Sequence, residues 1–310
     1  MKGPFFYSKI LLFGEYGIIK DSKGLSIPYN HFKGSLKISD LDLSILNKKS
    51  HKKIKEFLGF LKLIDLKSID FDWDKINNDI KKNIYFDSTI PQGYGIGSSG
   101  ALVASVYERY AKNKFTDLEN LTKKKLHVLK LIFSQMESFF HGKSSGLDPL
   151  NSYLCIPILV NSRNNIELTD IPSQNKEGKG AVFLLDSGES GKTAPMISLF
   201  TEKMKNDSFS KMINDQFISA TNKCVENFLD GNYKNLFLHL KKLSELVFND
   251  FKPMIPNQFK DSWLNGINTN SYYLKLCGSG GGGYILGFTQ DWTKAQKELL
   301  GHDLQVIFNF

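Results

Sequence analysis

Ile84-Tyr85-Phe86-Asp87-Ser88-Thr89-Ile90-Pro91-Gln92-Gly93-Tyr94-Gly95-Ile96-Gly97-Ser98-Ser99-Gly100-Ala101 is the stretch whose reading decides the fold of this chain. Ile84 to Phe86 is a short apolar run that reads as a strand, Pro91 and Gln92 break it, and glycines alternate at 93, 95 and 97. Ser98-Ser99-Gly100 then lead into a helical pattern from Ala101 to Lys112. Glycine lets backbone N–H groups approach an anion with no Cβ in the way. The helix that follows turns its unpaired N–H groups and positive dipole end toward the same point. Strand, glycine loop and helix in this order make a phosphate cradle, and Ser99 adds a hydroxyl at the helix start, either as an N-cap or as a magnesium ligand.

The glycine spacing alone does not choose the ligand. Gly95-x-Gly97-x-x-Gly100 fits the dinucleotide pattern, and so does Gly278-x-Gly280-x-x-Gly283. A dinucleotide fold needs a second strand ending in an acidic residue. Asp117 and Glu119 stand at the right distance, yet Asn113-Lys114-Phe115-Thr116 before them do not read as a buried strand. The Walker spacing G-x-x-x-x-G-K-[ST] is absent.

With 310 residues, 41% of them hydrophobic, the chain can bury a substantial core in one large or two ordinary domains. Its net charge of +8 suits anionic partners such as nucleotides or phosphorylated metabolites, and equally a lysine-rich solvated surface. Lys48-Lys49-Ser50-His51-Lys52-Lys53 lacks the aromatic and Arg interleaving of a nucleic-acid patch. It reads instead as the exposed start of an amphipathic helix with Ile54, Phe57, Leu58 and Leu61 inside, so no nucleic-acid partner is expected. Cys155, Cys224 and Cys277 are widely spaced without a C-x-x-C, which argues against a disulfide framework or zinc site and fits a reducing compartment. Ile10 to Phe13 is too short for a signal-peptide core, and no run approaches the ~20 apolar residues that span a bilayer. A cytoplasmic protein with no membrane partner is the expectation.

Phe5 to Phe13 reads as a strand carrying Lys9, which serves either to keep an edge soluble or as a functional group. Leu121 to Phe140 reads as a long helix with Leu126, Leu129, Ile132, Phe133, Met136 and Phe140 on one stripe. Glu137 and His141 share a face of that helix, and Gly142 stands at its C-cap. Ala181 to Asp186 is a buried-strand pattern, followed by a polar turn from Ser187 to Thr193 without phosphate-loop spacing. Composition then shifts to long helices, Met212 to Leu229 and Leu236 to Asn249, which places a domain boundary near residue 190. Gly278 to Gly283 holds five glycines and one serine. Each glycine costs ~0.5–1 kcal/mol relative to alanine, so something there needs bare backbone. A strand from Tyr284 to Phe288, a helix and a final strand follow.

Pro91 to Ala101 resembles the P-x-G-x-G-L-G-S-S-A-A nucleotide loop of the GHMP kinases, the family of galactokinase, homoserine kinase, mevalonate kinase and phosphomevalonate kinase. Ile96 for Leu and Gly100 for Ala are its departures, and neither supplies chemistry. His141-Gly142-Lys143-Ser144-Ser145-Gly146-Leu147-Asp148 resembles the H-G-x-P-S-G-x-D motif of mevalonate kinases, with Ser144 for Pro, a change that loosens the loop without removing a reacting group. Lys275 to Gly283 resembles the third motif, K-x-T-G-A-G-G-G-G, with Cys277 for Thr and Ser279 for Ala. Lys9 to Tyr16 resembles the first, with Tyr16 as in phosphomevalonate kinases where mevalonate kinases carry His.

The resemblance implies an α+β, two-domain GHMP kinase fold, with a ribosomal S5 domain 2-like N-terminal domain over 1–190 and a ferredoxin-like C-terminal domain over 191–310. It implies ATP and Mg2+ as cofactors, a cleft between the domains, and phosphoryl transfer to a small-molecule alcohol, nearest to mevalonate, giving the 5-phosphomevalonate of isoprenoid biosynthesis. A homodimer is compatible with it. By the same resemblance Asp148 orients or accepts the hydroxyl proton and Lys9 neutralises the transferred group. Ser88, Gly93, Gly95, Gly97, Ser98 and Ser99 hold the nucleotide, Ser99 and Glu137 the metal. Glu15, Tyr16, Ser145, Thr193, Gly278, Ser279 and Gly280 face the acceptor. Phosphomevalonate kinase, another GHMP small-molecule kinase and a non-catalytic sensor on the same fold are the alternatives. A second phosphate on the acceptor needs a dedicated cation. Beyond Lys9, only the lysines 20, 143, 192 and 275 adjoin the motifs, read here as mobile and with no Arg among them, which favours mevalonate over its phosphate.

Overall fold

The first apolar run folds as strand β1 (Phe6–Phe13) and the chain returns as the long strand β2 (Gly24–Lys37). The computed structural model describes residues 5–39, 41–66, 69–115, 121–162 and 164–310. The chain passes repeatedly between two compact units, one of Met1–Lys9, Pro28–Pro91 and Gly97–Ile156, the other of Ile10–Ile27, Gln92–Ile96 and Pro157–Phe310. The compositional shift near residue 190 falls inside the second unit.

In the first unit α1 (Ile45–Leu61) begins at Ser44, whose hydroxyl accepts from the Asn47 N–H, and it buries Ile54, Phe57, Leu58 and Leu61 as the periodicity predicts. Lys48, Lys49, Lys52 and Lys53 lie on its exposed face. After α2 (Trp73–Lys81), strand β3 (Tyr85–Ser88) pairs antiparallel with β2 in the register Gly34 with Ser88 to Lys37 with Tyr85. Helix α3 (Ser98–Tyr110) starts before the apolar pattern does, because Gly97 takes the left-handed conformation and Ser98 to Gly100 enter the first turn. The capping residue is therefore Gly97, and the Ser99 hydroxyl caps nothing. Asp79 is buried and accepts from Arg109 Nε at 2.7 Å and Tyr110 Oη at 3.0 Å, which ties α2 to α3. Asn113 to Phe115 form no strand, and Asp117 and Glu119 lie outside the described residues.

Helix α4 (Lys123–His141) starts at Thr122 and stops at Gly142 with φ 71°, burying Leu126, Leu129, Ile132, Phe133 and Met136; Phe140 is half-buried. The short α5 (Leu147–Leu154) packs on α3 at van der Waals limits. A Cβ on Gly100 would stand 2.6 Å from the Asp148 carbonyl carbon and 2.7 Å from the Pro149 nitrogen.

In the second unit β4 (Ile158–Ser162) pairs antiparallel with the Gly24–Ser26 start of β2 and with β5 (Asn165–Leu168). Strand β6 (Ala181–Asp186) spans the residues that the apolar pattern predicts. Helices α6 (Thr193–Lys203), α7 (Asp207–Met212), α8 (Ile218–Leu229), α9 (Tyr233–Asp250) and α10 (Lys260–Thr269) follow. Between α7 and α8, Ile213–Phe217 makes a π-helical turn, so the segment read as one helix from Met212 is wound in two ways. With β7 (Tyr273–Leu276), β8 (Tyr284–Thr289) and, after α11 (Trp292–Glu298), β9 (Leu304–Asn309), the sheet runs β7-β8-β6-β9, antiparallel throughout. Phe13 stacks on Phe288 at 5.4 Å and meets Phe228 edge-on at 6.0 Å in this unit's core. Among the described residues no helix is long and apolar enough to cross a membrane.

Gly100→Ala gains about 1 kcal/mol of helix propensity but drives a methyl into backbone that cannot rotate away, at a cost of about 1–3 kcal/mol. A lower denaturation midpoint is the expected result, and an unchanged or raised midpoint would show that α3 and α5 separate freely.

Candidate active site

Lys9 is 4% exposed, so its place in an apolar strand is not that of an edge solubiliser. A buried ammonium requires a counter-charge, and Lys9 Nζ lies 2.9 Å from Asp148 Oδ1 in the first turn of α5. The Lys9 side chain is 5% accessible and that of Asp148 35%, so the carboxylate is the open half of the pair. Gly97 lies against both: a Cβ there would be 3.0 Å from Lys9 Cγ and 3.6 Å from Asp148 Oδ2. The N-terminus of α3, which no side chain caps, is thereby brought beside the pair.

Glu137, in the last turns of α4, is 3% exposed. Its carboxylate accepts from Ser99 Oγ at 2.9 Å and from Ser144 Oγ, and Ser99 Oγ is also 3.1 Å from His141 Nε2. Burial first, then the charge of Asp148, pushes Glu137 up to about 7, against the pull of the two hydroxyls and Lys9. Burial lowers His141 below the usual histidine range.

Ser144 does not loosen its loop, contrary to the reading from sequence. Its hydroxyl accepts from the Gly146 N–H at 3.0 Å while donating to Glu137, and its carbonyl accepts from Ser134 Oγ at 2.5 Å. A hydroxyl seven residues beyond Glu137, across a glycine turn, was the available signal. Ser88 ends β3, exposed, and accepts from the Ile90 N–H; Ser98 is the half-buried first residue of α3; exposed Ser145 accepts from the Leu147 N–H at 3.3 Å.

In the second unit three backbone segments touch where only glycine fits. Gly95, at φ 77°, leaves its missing Cβ facing the Cys277 carbonyl oxygen. The Gly191 N–H donates to the Gly93 carbonyl at 2.8 Å, and the Gly283 N–H to the Glu189 carbonyl at 2.6 Å. The loop 92–96, the turn 187–191 and the glycine run 278–283 thus hold one another, with Cys277 buried beneath them.

Lys275 is buried, not mobile as read from sequence: Nζ bonds Glu15 Oε1 at 2.6 Å and the Leu276 carbonyl at 2.9 Å. Glu15, also buried, therefore faces Lys275. Tyr16 donates from its hydroxyl to the Ser279 carbonyl at 2.5 Å, with its ring 4.8 Å from Phe200 and 5.6 Å from Phe251. Ser279 and Thr193 approach hydroxyl to hydroxyl at 3.4 Å. Among the described residues no three His, Cys, Asp or Glu side chains gather as a metal cluster.

Residues 63–155 match the family GHMP kinases N terminal domain. The whole chain overlays L. major mevalonate kinase in complex with R-mevalonate at a TM-score of 0.64, with 16% identity over 100% of this chain and 97% of that one. The segment 63–155 is thus a GHMP kinases N terminal domain, and the chain as a whole has the fold of the solved GHMP kinases. Streptococcus pneumoniae phosphomevalonate kinase in complex with phosphomevalonate and AMPPNP gives 0.62 at 14% identity, covering 99% of this chain and 100% of that one. Lactococcus lactis galactokinase complexed with galactose gives 0.60 at 13% identity, covering 98% and 92%. No curated protein matches the chain by sequence. At these identities the structural likeness is one of fold.

A carboxyl whose pKa is raised on folding holds more protons folded than unfolded, so stability falls as pH climbs from about 4.5 to 7. Glu137→Gln removes that loss, and the variant is expected to exceed the parent by about 1–3 kcal/mol at pH 8, with the gap closing toward pH 4.5. Chemical denaturation at the two pH values checks this; a variant weaker at pH 8 would contradict it. For Glu15→Gln, which strands the Lys275 ammonium, a loss of about 3–5 kcal/mol is expected, and Glu15→Gln with Lys275→Met should recover part of it.

Proposed function

We propose that the chain transfers the γ-phosphoryl group of ATP to the hydroxyl of mevalonate, giving ADP and 5-phosphomevalonate. The observation that carries this reading is the Lys9–Asp148 pair at 2.9 Å, set by Gly97 beside the start of α3. Phosphoryl transfer asks mainly for positioning and charge neutralisation. The acceptor oxygen forms its bond to phosphorus as the bridging bond to the β-phosphate breaks. Asp148, the accessible half of the pair, orients that hydroxyl and takes its proton, and Lys9 offsets charge on the transferred group. The α3 N-terminus, with Ser98 and Ser99, receives the phosphates, together with Gly93, Gly95 and Gly97 in the loop before it.

Magnesium fits Ser99 and Glu137. A buried carboxylate held up to about 7 by its surroundings favours an added cation. Ser99 and Glu137 would hold the ion through two protein oxygens, the small protein share that magnesium at a phosphate usually takes. Bound there, the ion supplies positive charge to the phosphate oxygens. Glu137 and Ser144 hold the Ser99 side of the site in place, and the hydroxyl of Ser99 is shared with His141.

Mevalonate is favoured over its 5-phosphate by charge. Lys9 is committed to Asp148 and Lys275 to Glu15, which leaves the exposed Lys20, Lys143 and Lys192 for a second phosphate dianion. Tyr16, which in sequence leaned toward the phosphorylated acceptor, bonds Ser279 instead. The similarity to the pneumococcal phosphomevalonate kinase makes 5-phosphomevalonate the second reading. Ser145, Thr193, Gly278, Ser279 and Gly280 are the proposed acceptor contacts.

The deciding experiment is coupled ADP release with mevalonate, 5-phosphomevalonate, homoserine and galactose as acceptors. Mevalonate should give the highest kcat/KM, and a value tenfold higher for the phosphate would overturn the substrate while leaving phosphoryl transfer intact. Asp148→Asn should lower kcat by roughly 10²–10⁴-fold and Lys9→Met by roughly 10²–10³-fold. Glu137→Gln should lose its response to added magnesium; equal turnover of variant and parent at limiting magnesium would remove Glu137 from the metal site.

A further inference from the structure

We propose that Tyr16 is a positioning residue, which holds the third glycine loop by its Ser279 carbonyl and so presents the Gly280 N–H as a donor, and that it does not itself touch the acceptor. The loop from Gly278 to Gly283 has little of its own to keep it in one shape. Five of its six residues are glycine, all five at positive φ. Backbone freedom of that kind is costly to freeze, so the order must come from outside.

The hydroxyl of Tyr16 donates to the Ser279 carbonyl at 2.5 Å. The ring is held in place by burial, packed against Phe200 and Phe251 at 4.8 and 5.6 Å. Tyr16 itself sits at φ 60°, ψ −38°, an uncommon conformation for a residue with a Cβ. Its neighbour Glu15 grips Lys275 just before the loop at 2.6 Å. Further along, the Gly281 N–H donates to the Met254 carbonyl at 2.7 Å and the Gly283 N–H to the Glu189 carbonyl.

Across a trans peptide the carbonyl and the following N–H point to opposite sides. Fixing the Ser279 carbonyl on Tyr16 therefore turns the Gly280 N–H the other way, and among the described residues no protein group accepts from it. A backbone N–H held in place in this manner is a ready donor to an anionic oxygen. That the oxygen belongs to the reacting ligands rests on the kinase reading above; the anchoring of the loop does not.

Tyr16→Phe keeps the ring and removes only the hydroxyl. In the ligand-free protein, amide hydrogen exchange over 278–283 should then rise roughly 2- to 10-fold, the equivalent of one net hydrogen bond, while β6, β8 and β9 exchange as in the parent. In turnover, kcat should fall by a similar factor with the acceptor KM within about twofold, as expected of a loop that is properly set for less of the time. Unchanged exchange over 278–283 together with a tenfold higher acceptor KM would make Tyr16 a direct contact and overturn the proposal. Exchange rising equally through all the strands would overturn it too, as plain destabilisation. Because the exchange is read without ligands, it decides the role of Tyr16 even if no acceptor in the panel is phosphorylated.

Discussion

The cost of burying charge governs where the chemistry of this chain can lie. An ammonium withdrawn from water costs several kcal/mol unless a partner meets it, and Lys9 is almost wholly withdrawn. The start of α5 must bring Asp148 within 2.9 Å, which in turn requires α3 and α5 to pack at backbone distance over Gly100 and the α3 N-terminus to pass over Lys9 at Gly97. Glu137 is buried as deeply, and its hydroxyl partners soften the cost without cancelling it, so its pKa stays high. One unit of the protein thus carries a neutralised pair and, beside it, a carboxylate that a cation would suit.

The local parts of this arrangement were legible in the sequence. A helix with a regular apolar stripe announces itself: α1 buries the residues that its spacing predicts, and α4 all of them except Phe140, which is half-buried near its end. The continuous apolar run of β6 and the glycine punctuation around α3 are of the same kind. Ser98-Ser99-Gly100 were read as leading into a helix from Ala101, whereas they form its first turn: each is a weak helix former, and the turn of Gly97 outweighed them. The π-turn at Ile213–Phe217 leaves no mark in an apolar pattern that stays helical on both sides.

Partners far apart in the chain were not legible. Lys275 meets Glu15 and Tyr16 meets Ser279 across about 260 positions, and neither composition nor periodicity reports such a meeting. Ser144 is a nearer case: its bond to Glu137 follows from the turn at Gly142, whose direction only the folded chain fixes.

A motif shared with a family carries residue types more securely than residue duties. Glu15 and Tyr16 follow the first motif and were assigned to the acceptor on that ground, yet the polar atoms of both are bonded to the third motif within the same unit. A side chain that spends its only hydroxyl proton on a carbonyl has none left to donate to a substrate. The choice of Tyr at this position therefore follows from what reaches the Ser279 carbonyl, and it says nothing about whether the acceptor arrives with a phosphate. On the proposed kinase reading, a phosphorylated acceptor would ask for an uncommitted cation, and the two buried lysines of the motifs are committed at 2.9 Å and 2.6 Å to carboxylates of their own units.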